Sequence, residues 1–271
     1  MDTLLRNARR KLSQGLLFWR EAGEGIPIVF LHGNWHDSGQ WVAVMESLYP
    51  NFHCFAPDLL GFGESDHPNI HYSIDVQVEC MAEFLQALKL EKVNLVGHSL
   101  GGWIAASYAL KYGQQVDKLV LVAPEGVKIS GQEAYWQKMQ QLLKRSPLFF
   151  KIMRSLRFLT KIFRLDEKIE QDWQLRQMVL QYPTACQLLF QRQQPELEAE
   201  LLQSRLSDLA IPVLIVQGGK DAPDTLARSQ AYSKLIEQVE LKIIAHAGND
   251  LPTSCVGVMA GDIRDFILGN K

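Results

Sequence analysis

The 271-residue sequence predicts an α/β fold: a mostly parallel central sheet with helices on both faces and an inserted helical cap. Three observations carry this expectation. Short apolar runs alternate with segments of helical spacing, as buried parallel strands and their crossovers require. One run, 93–96, ends in Gly97-His98-Ser99-Leu100-Gly101-Gly102 and passes directly into a small-residue helix. The stretch 125–206 breaks the rhythm, holds no convincing strand and reads as three or four helices.

Taken in order, residues 16–21 (Leu16, Leu17, Phe18, Trp19) read as a strand and 21–25 as a turn into the next. The run 26–31 is a buried strand feeding a loop at His32-Gly33. A strand at 52–56 precedes a Gly-rich loop at 58–66. Helical spacing follows over 73–88 (Ile74, Val78, Met81, Phe84, Leu85, Leu88), with Ser73 as its cap. Next come the strand 93–96, a helix over 100–112 and a strand at 119–122. After the helical block, strands at 211–216 and 241–244 flank a helix over 225–236, and 256–268 closes as a helix. The expected division is a core of 1–124 with 207–271, and a helical cap of 125–206.

Within that cap, Ser146 and Pro147 read as N-cap and first-turn residues. Lys151, Arg154, Arg157, Lys161 and Arg164 then share one face, with Leu148, Ile152, Leu156, Leu159 and Phe163 opposite. Such a basic amphipathic helix is compatible with an anionic membrane surface or a lipophilic acidic substrate. The favoured expectation is plainer: a cap helix with its apolar face on a pocket and its charges in water.

Composition narrows the function classes. With 47% hydrophobic and 21% charged residues the chain has the make-up of a soluble globular protein. A formal net charge of -2 argues against nucleic acid as a partner. Cys54, Cys80, Cys186 and Cys255 are scattered, with no metal-like spacing, which predicts reduced thiols and a cytoplasmic protein. The first ten residues carry three arginines without a following apolar run of signal-peptide length, and no window approaches a membrane span.

The chemistry concentrates at Ser99. A G-x-S-x-G between a strand and a helix is the context of a nucleophile elbow, where the serine sits on a strained turn. The helix beginning at Leu100 offers free N–H groups and the positive end of its dipole to a developing oxyanion.

On these residues the chain resembles the α/β-hydrolase family, in its lid-bearing branch of esterases, lipase-like enzymes and C–C hydrolases. The resemblance runs from Gly15 to Leu268 and rests on His32-Gly33-Asn34-Trp35, the loop Asp58 to Asp66, the elbow, and Gly218-Gly219-Lys220-Asp221. It implies Ser99 as nucleophile and an oxyanion hole from the N–H of Leu100 with that of Asn34 or Trp35. It implies a structural role for His32, and Asp221 as the acid, with Glu125 as the alternative because some relatives place the carboxylate there. No cofactor and no metal are implied.

The third member of the triad departs from the family. Relatives carry Gly-His after the last strand, whereas this chain reads Gly248-Asn249. An amide could bridge Ser99 and Asp221 by hydrogen bonds, but it cannot take up a proton near neutral pH. His246 lies three residues earlier and would need the loop to rearrange. His98 adjoins the serine but points away at an elbow. A substitution at 249 in an otherwise intact enzyme is a further explanation.

Two functions therefore stand side by side. One is a cofactor-independent hydrolase of an apolar ester, thioester, lactone or similar acyl compound, impaired by Asn249. The other is a catalytically silent small-molecule binding protein that keeps a Ser99–Asn249–Asp221 network. A base-free lyase or isomerase step is a more distant third.

Overall fold

The structure, a computed structural model, describes residues 5–155 and 166–270. Its centre is an eight-stranded sheet of β1 (Arg6–Lys11), β2 (Leu16–Ala22), β3 (Ile26–Leu31), β4 (Phe52–Pro57), β5 (Val93–His98), β6 (Val116–Val122), β7 (Val213–Gly218) and β8 (Val239–Ile244). The strand order is β1-β2-β4-β3-β5-β6-β7-β8. Strand β2 runs antiparallel to both its neighbours, and all pairs from β4 to β8 are parallel.

Strands β5 and β7 are buried along their whole length, as expected for a sheet covered on both faces. The expected strands are all present. So are the helices Leu100–Lys111, Pro223–Leu235 and Val256–Leu268. Helix Ile74–Ala87 starts where Ser73 Oγ accepts the N–H of Val76 at 3.1 Å, the expected cap.

Strand β1 was not expected. Its sequence Arg-Asn-Ala-Arg-Arg-Lys lacks apolar alternation because it forms an edge exposed on both faces. Charges on an edge strand suppress pairing with other chains, so the usual strand signature is missing where it is least useful. Its register is set by β2, with Arg6 opposite Glu21 and Lys11 opposite Leu16. The short helix Val42–Leu48 likewise escaped the sequence reading.

The topology fixes where a site can form. The chain leaves β3 toward β4 on one side and returns to β5 on the other, so the carboxyl ends of β3 and β5 border the crevice of the sheet. Those ends carry His32 to Asn34 and Ser99.

By contacts the chain forms two compact units: residues 1–129 with 198–271, and Ser130–Leu197. Glu125 thus belongs to the sheet-bearing unit. The second unit is helical in its described residues, with Gln132–Lys144, Pro147–Ser155, Asp166–Val179 and Pro183–Cys186 as its α-helices. Ser146 Oγ accepts the Phe149 N–H at 3.2 Å ahead of Pro147. Within this unit Phe150 is buried against Trp173, and Arg154 pairs with Glu170 at 3.1 Å. Of the basic amphipathic stretch, Leu156, Arg157, Leu159, Lys161, Phe163 and Arg164 lie outside the described residues. No helix of the described residues is long and apolar enough to cross a membrane.

Candidate active site

Ser99 occupies the turn between β5 and helix Leu100–Lys111 with φ 52° and ψ −111°, in the left-handed half of backbone space. A non-glycine residue there is strained by roughly 1–3 kcal/mol, and surrounding bonds must hold it. Its N–H donates to Val122 O at 2.9 Å, and its carbonyl accepts from Trp103 N and Glu125 N, both at 3.1 Å. The flanking glycines allow close passage. A Cβ on Gly97 would lie 2.3 Å from Gly101 O, and one on Gly101 would lie 2.4 Å from Leu31 O.

Two side chains meet the hydroxyl. Ser99 Oγ donates toward Asn34 Oδ1 at 3.0 Å and Glu125 Oε1 at 3.2 Å. The Leu100 N–H donates to the same Asn34 oxygen at 3.0 Å. Asn34 Nδ2 in turn donates to Glu125 Oε1 at 2.8 Å. The amide orientation follows from this network, since the Leu100 donor faces an oxygen and the Glu125 acceptor faces a nitrogen. Asn34 therefore meets the elbow through its side-chain oxygen, as an acceptor. From the sequence only its backbone N–H is expected to take part. Trp35, the alternative donor, follows it half-buried.

Glu125 is held from several sides. Its N–H is bonded to Ser99, its carbonyl accepts the hydroxyl of Tyr232, and its carboxylate accepts from Asn34. Burial pushes the Tyr232 phenol well up, so it stays a neutral donor. The chain reaches this place through a sharp exit from β6, where Ala123 has φ 44° and donates to Val216 O at 3.0 Å.

The other expected members are placed differently. Asp221 accepts from Gln217 Nε2 at 3.1 Å and from Ala222 N at 2.7 Å. Asn249 has an exposed side chain, and its backbone carbonyl faces His98 Nε2 at 3.1 Å. The two loops do run together: Lys220 N donates to Ala247 O at 2.8 Å. Yet no hydrogen bond joins Ser99 to Asn249, or Asn249 to Asp221, among the described residues. The expected Ser99–Asn249–Asp221 network is thus absent. Its physical reason is that Asp221 is already satisfied by Gln217 and a helix N-terminus, and Ser99 by Asn34 and Glu125. An exposed amide gains little by displacing either set.

The imidazoles near the elbow are committed elsewhere. His98 is buried; its Nε2 donates to the Asn249 carbonyl, and its Nδ1 accepts from Gln40 Nε2 at 3.0 Å. Burial, then the nearby His36, pull its pKa down to about 4, so the ring is neutral. Gln40 Oε1 accepts from Gly33 N at 3.0 Å, tying the β3 loop to this ring. His32 Nδ1 donates to Gly33 O at 2.9 Å while Nε2 accepts from Leu59 N at 3.0 Å, and burial holds its pKa below the usual range. His246 is exposed on the loop after β8.

Gln40 and Gln217 escaped the sequence reading. Gln217 is fully buried in β7 and joins Ser229 Oγ to Asp221. The signal for it was legible as a polar residue ending the apolar run Val213 to Val216.

Comparison with known proteins agrees with this architecture. A family model described as alpha/beta hydrolase fold matches residues 26–251. An uncharacterized protein of Mycobacterium tuberculosis is 42% identical over 109 residues, 40% of this chain; the match spans about a third (32%) of that relative's length. The 2-hydroxymuconate semialdehyde hydrolase of a Pseudomonas species (strain CF600) is 26% identical over 265 residues, covering 91% of this chain and 88% of the relative. Among solved structures, a thermophilic esterase from Thermogutta terrifontis superposes with a TM-score of 0.74 at 24% identity, over 98% of this chain and 99% of that one. At that identity the likeness is one of fold.

Proposed function

The chain belongs to the alpha/beta hydrolase fold family, and from that premise we propose that it is a serine hydrolase of an apolar acyl compound. A carboxylic ester, thioester or lactone is the substrate class, with Ser99 as nucleophile and the Leu100 N–H as oxyanion donor. One observation carries this reading. The Ser99 hydroxyl and the Leu100 N–H converge on a single oxygen, the amide oxygen of Asn34, which is 3.0 Å from each. That oxygen occupies the place an acyl carbonyl would take, so the elbow presents a donor and a nucleophile to one carbonyl group.

In the reaction, the substrate carbonyl replaces the Asn34 amide at the Leu100 N–H. Ser99 Oγ attacks the carbonyl carbon, the leaving group departs, and water then releases the acyl group from Ser99. The family's imidazole position is Asn249, which takes up no proton near neutral pH, so turnover is impaired. The relative that hydrolyses 2-hydroxymuconate semialdehyde supports hydrolysis as the reaction class.

A second reading is a small-molecule binding protein without turnover. It is favoured by the same amide oxygen, which satisfies both elbow donors without a substrate. The substitution Asn249→His separates the two. Assayed beside the unmodified chain on chromogenic esters of short and medium acyl length, a gain of about 100-fold or more supports the impaired hydrolase. Silence from both proteins across the panel supports the binding protein.

A further inference from the structure

We infer that Glu125 is the proton acceptor for Ser99 in this chain, a carboxylate taking over the role that the family gives to an imidazole. The inference rests on the reading of Ser99 as nucleophile and adds a catalytic residue to it. Of the titratable side chains in the described structure, Glu125 is the one hydrogen-bonded to the Ser99 hydroxyl, at 3.2 Å. Asp221 spends its oxygens on Gln217 and Ala222, and both ring nitrogens of His98 are engaged with Gln40 and Asn249. Unlike the amide at 249, a carboxylate accepts a proton outright.

Glu125 is also built to stay in place. Its backbone is tied to Ser99 and Tyr232 and its carboxylate to Asn34, so its bearing on the hydroxyl is fixed before substrate arrives. Asn34 then acts as a substrate-sensitive competitor. In the resting site the hydroxyl is shared between Asn34 Oδ1 and Glu125 Oε1. A substrate carbonyl that takes the Leu100 N–H displaces the Asn34 oxygen and leaves Glu125 as the hydroxyl's acceptor.

The step balances within the site. The Ser99 O–H bond breaks, its proton passes to Glu125 Oε1, and the freed Oγ electron pair forms the bond to the acyl carbon. The carbonyl π pair moves onto its oxygen, held by the Leu100 N–H. Collapse of that adduct expels the leaving group, which takes the proton from Glu125. Water repeats the sequence: it gives a proton to Glu125 as it adds, and Ser99 recovers that proton as the carboxylic acid departs. A carboxylate is a weaker base than an imidazole, so the chemistry is expected to be slower than with a histidine without being abolished.

The test compares Glu125→Gln with Ser99→Ala and the unmodified chain, reading the rate of labelling by a fluorophosphonate probe and the hydrolysis of a p-nitrophenyl ester. Glutamine keeps the size and the acceptor oxygen but takes up no proton, so both rates are expected to fall by about 100-fold or more. Thermal melting checks that the variant folds. If it does not, Glu125→Asp keeps the charge while withdrawing it by one methylene, and labelling about 10-fold slower is expected. Unmodified rates in Glu125→Gln or a folded Glu125→Asp, with Ser99→Ala dead, overturn the role of Glu125 and leave Ser99 as nucleophile. Hydrolysis that survives Ser99→Ala overturns the nucleophile itself. An unmodified chain with neither labelling nor turnover overturns the inference as well.

Discussion

The side-chain oxygen of Asn34 lies 3.0 Å from Ser99 Oγ, so the loop after β3 holds the hydroxyl presented by the turn after β5. The amide works in both directions, because its nitrogen donates to Glu125 at 2.8 Å. Only an amide serves all three partners: it accepts from two donors on one atom and donates a hydrogen bond to a carboxylate from the other.

That asymmetry makes Asn34→Asp informative. The substitution turns a donor–acceptor contact with Glu125 into a meeting of two carboxylates, of which one oxygen pair needs a shared proton. At neutral pH the variant should lose roughly 1–3 kcal/mol of stability relative to the unmodified chain. The gap should narrow as acid supplies the proton. Urea unfolding of both proteins at pH 7 and pH 5 measures it; equal stabilities at pH 7 would show that the Asn34–Glu125 contact carries no weight.

Gly101→Ala addresses the elbow itself. The added Cβ would stand 2.4 Å from the carbonyl oxygen of Leu31 and 2.6 Å from that of His32, both backbone atoms. Neither yields without moving β3 or helix Leu100–Lys111. Expected is a loss of about 3 kcal/mol or more, seen as poor soluble yield or a melting temperature lower by at least 10 °C. A variant that melts with the unmodified chain would mean the elbow packs more loosely than these distances state.

Stability should also fall toward acid before carboxylates protonate. His98 has its pKa lowered from 6.5 to about 4 by burial first and the neighbouring His36 second, and His32 and His36 are lowered as well, chiefly by burial. The unfolded chain takes up these protons near 6.5 and the folded chain does not, so the stability they contribute is complete above about pH 6.5. It declines as pH drops from there toward 4. For His98 alone the shift is worth roughly 3 kcal/mol. Chemical denaturation between pH 7 and pH 4.5, repeated on a His98→Asn variant, checks the sign: the variant's slope should be shallower, and an unchanged slope would remove His98 as the cause.

Sequence alone revealed the sheet because its strands are apolar runs and Ser99 sits in a motif that requires a strand before it and a helix after it. It missed Arg6–Lys11 because pairing there comes from β2 and not from any pattern in the strand. The site was legible in its residue types and less so in its wiring. Ser99, Leu100 and Asn34 could be named, but not that Asn34 would turn its side-chain oxygen onto the other two. That choice depends on Glu125, 91 residues away, offering an acceptor to the amide nitrogen. Asp221 and Asn249 were named from the family resemblance, and yet hydrogen-bond partners supplied locally, Gln217 and Ala222 for one and His98 for the other, engage them.

Tyr232→Phe probes the support behind Glu125. The fully buried hydroxyl of Tyr232 donates to the Glu125 carbonyl, so its removal leaves a backbone oxygen without that donor. The cost to stability should be about 1–2 kcal/mol, read as a drop in the urea midpoint with an unchanged slope. If Glu125 takes the Ser99 proton, the loosened backbone should also slow fluorophosphonate labelling several-fold, and restoring the donor with Tyr brings both back. Loss of stability with full labelling would separate the anchoring of Glu125 from its chemistry, because a carboxylate that keeps its bearing on Ser99 without this bond does not depend on the helix Pro223–Leu235 for its position.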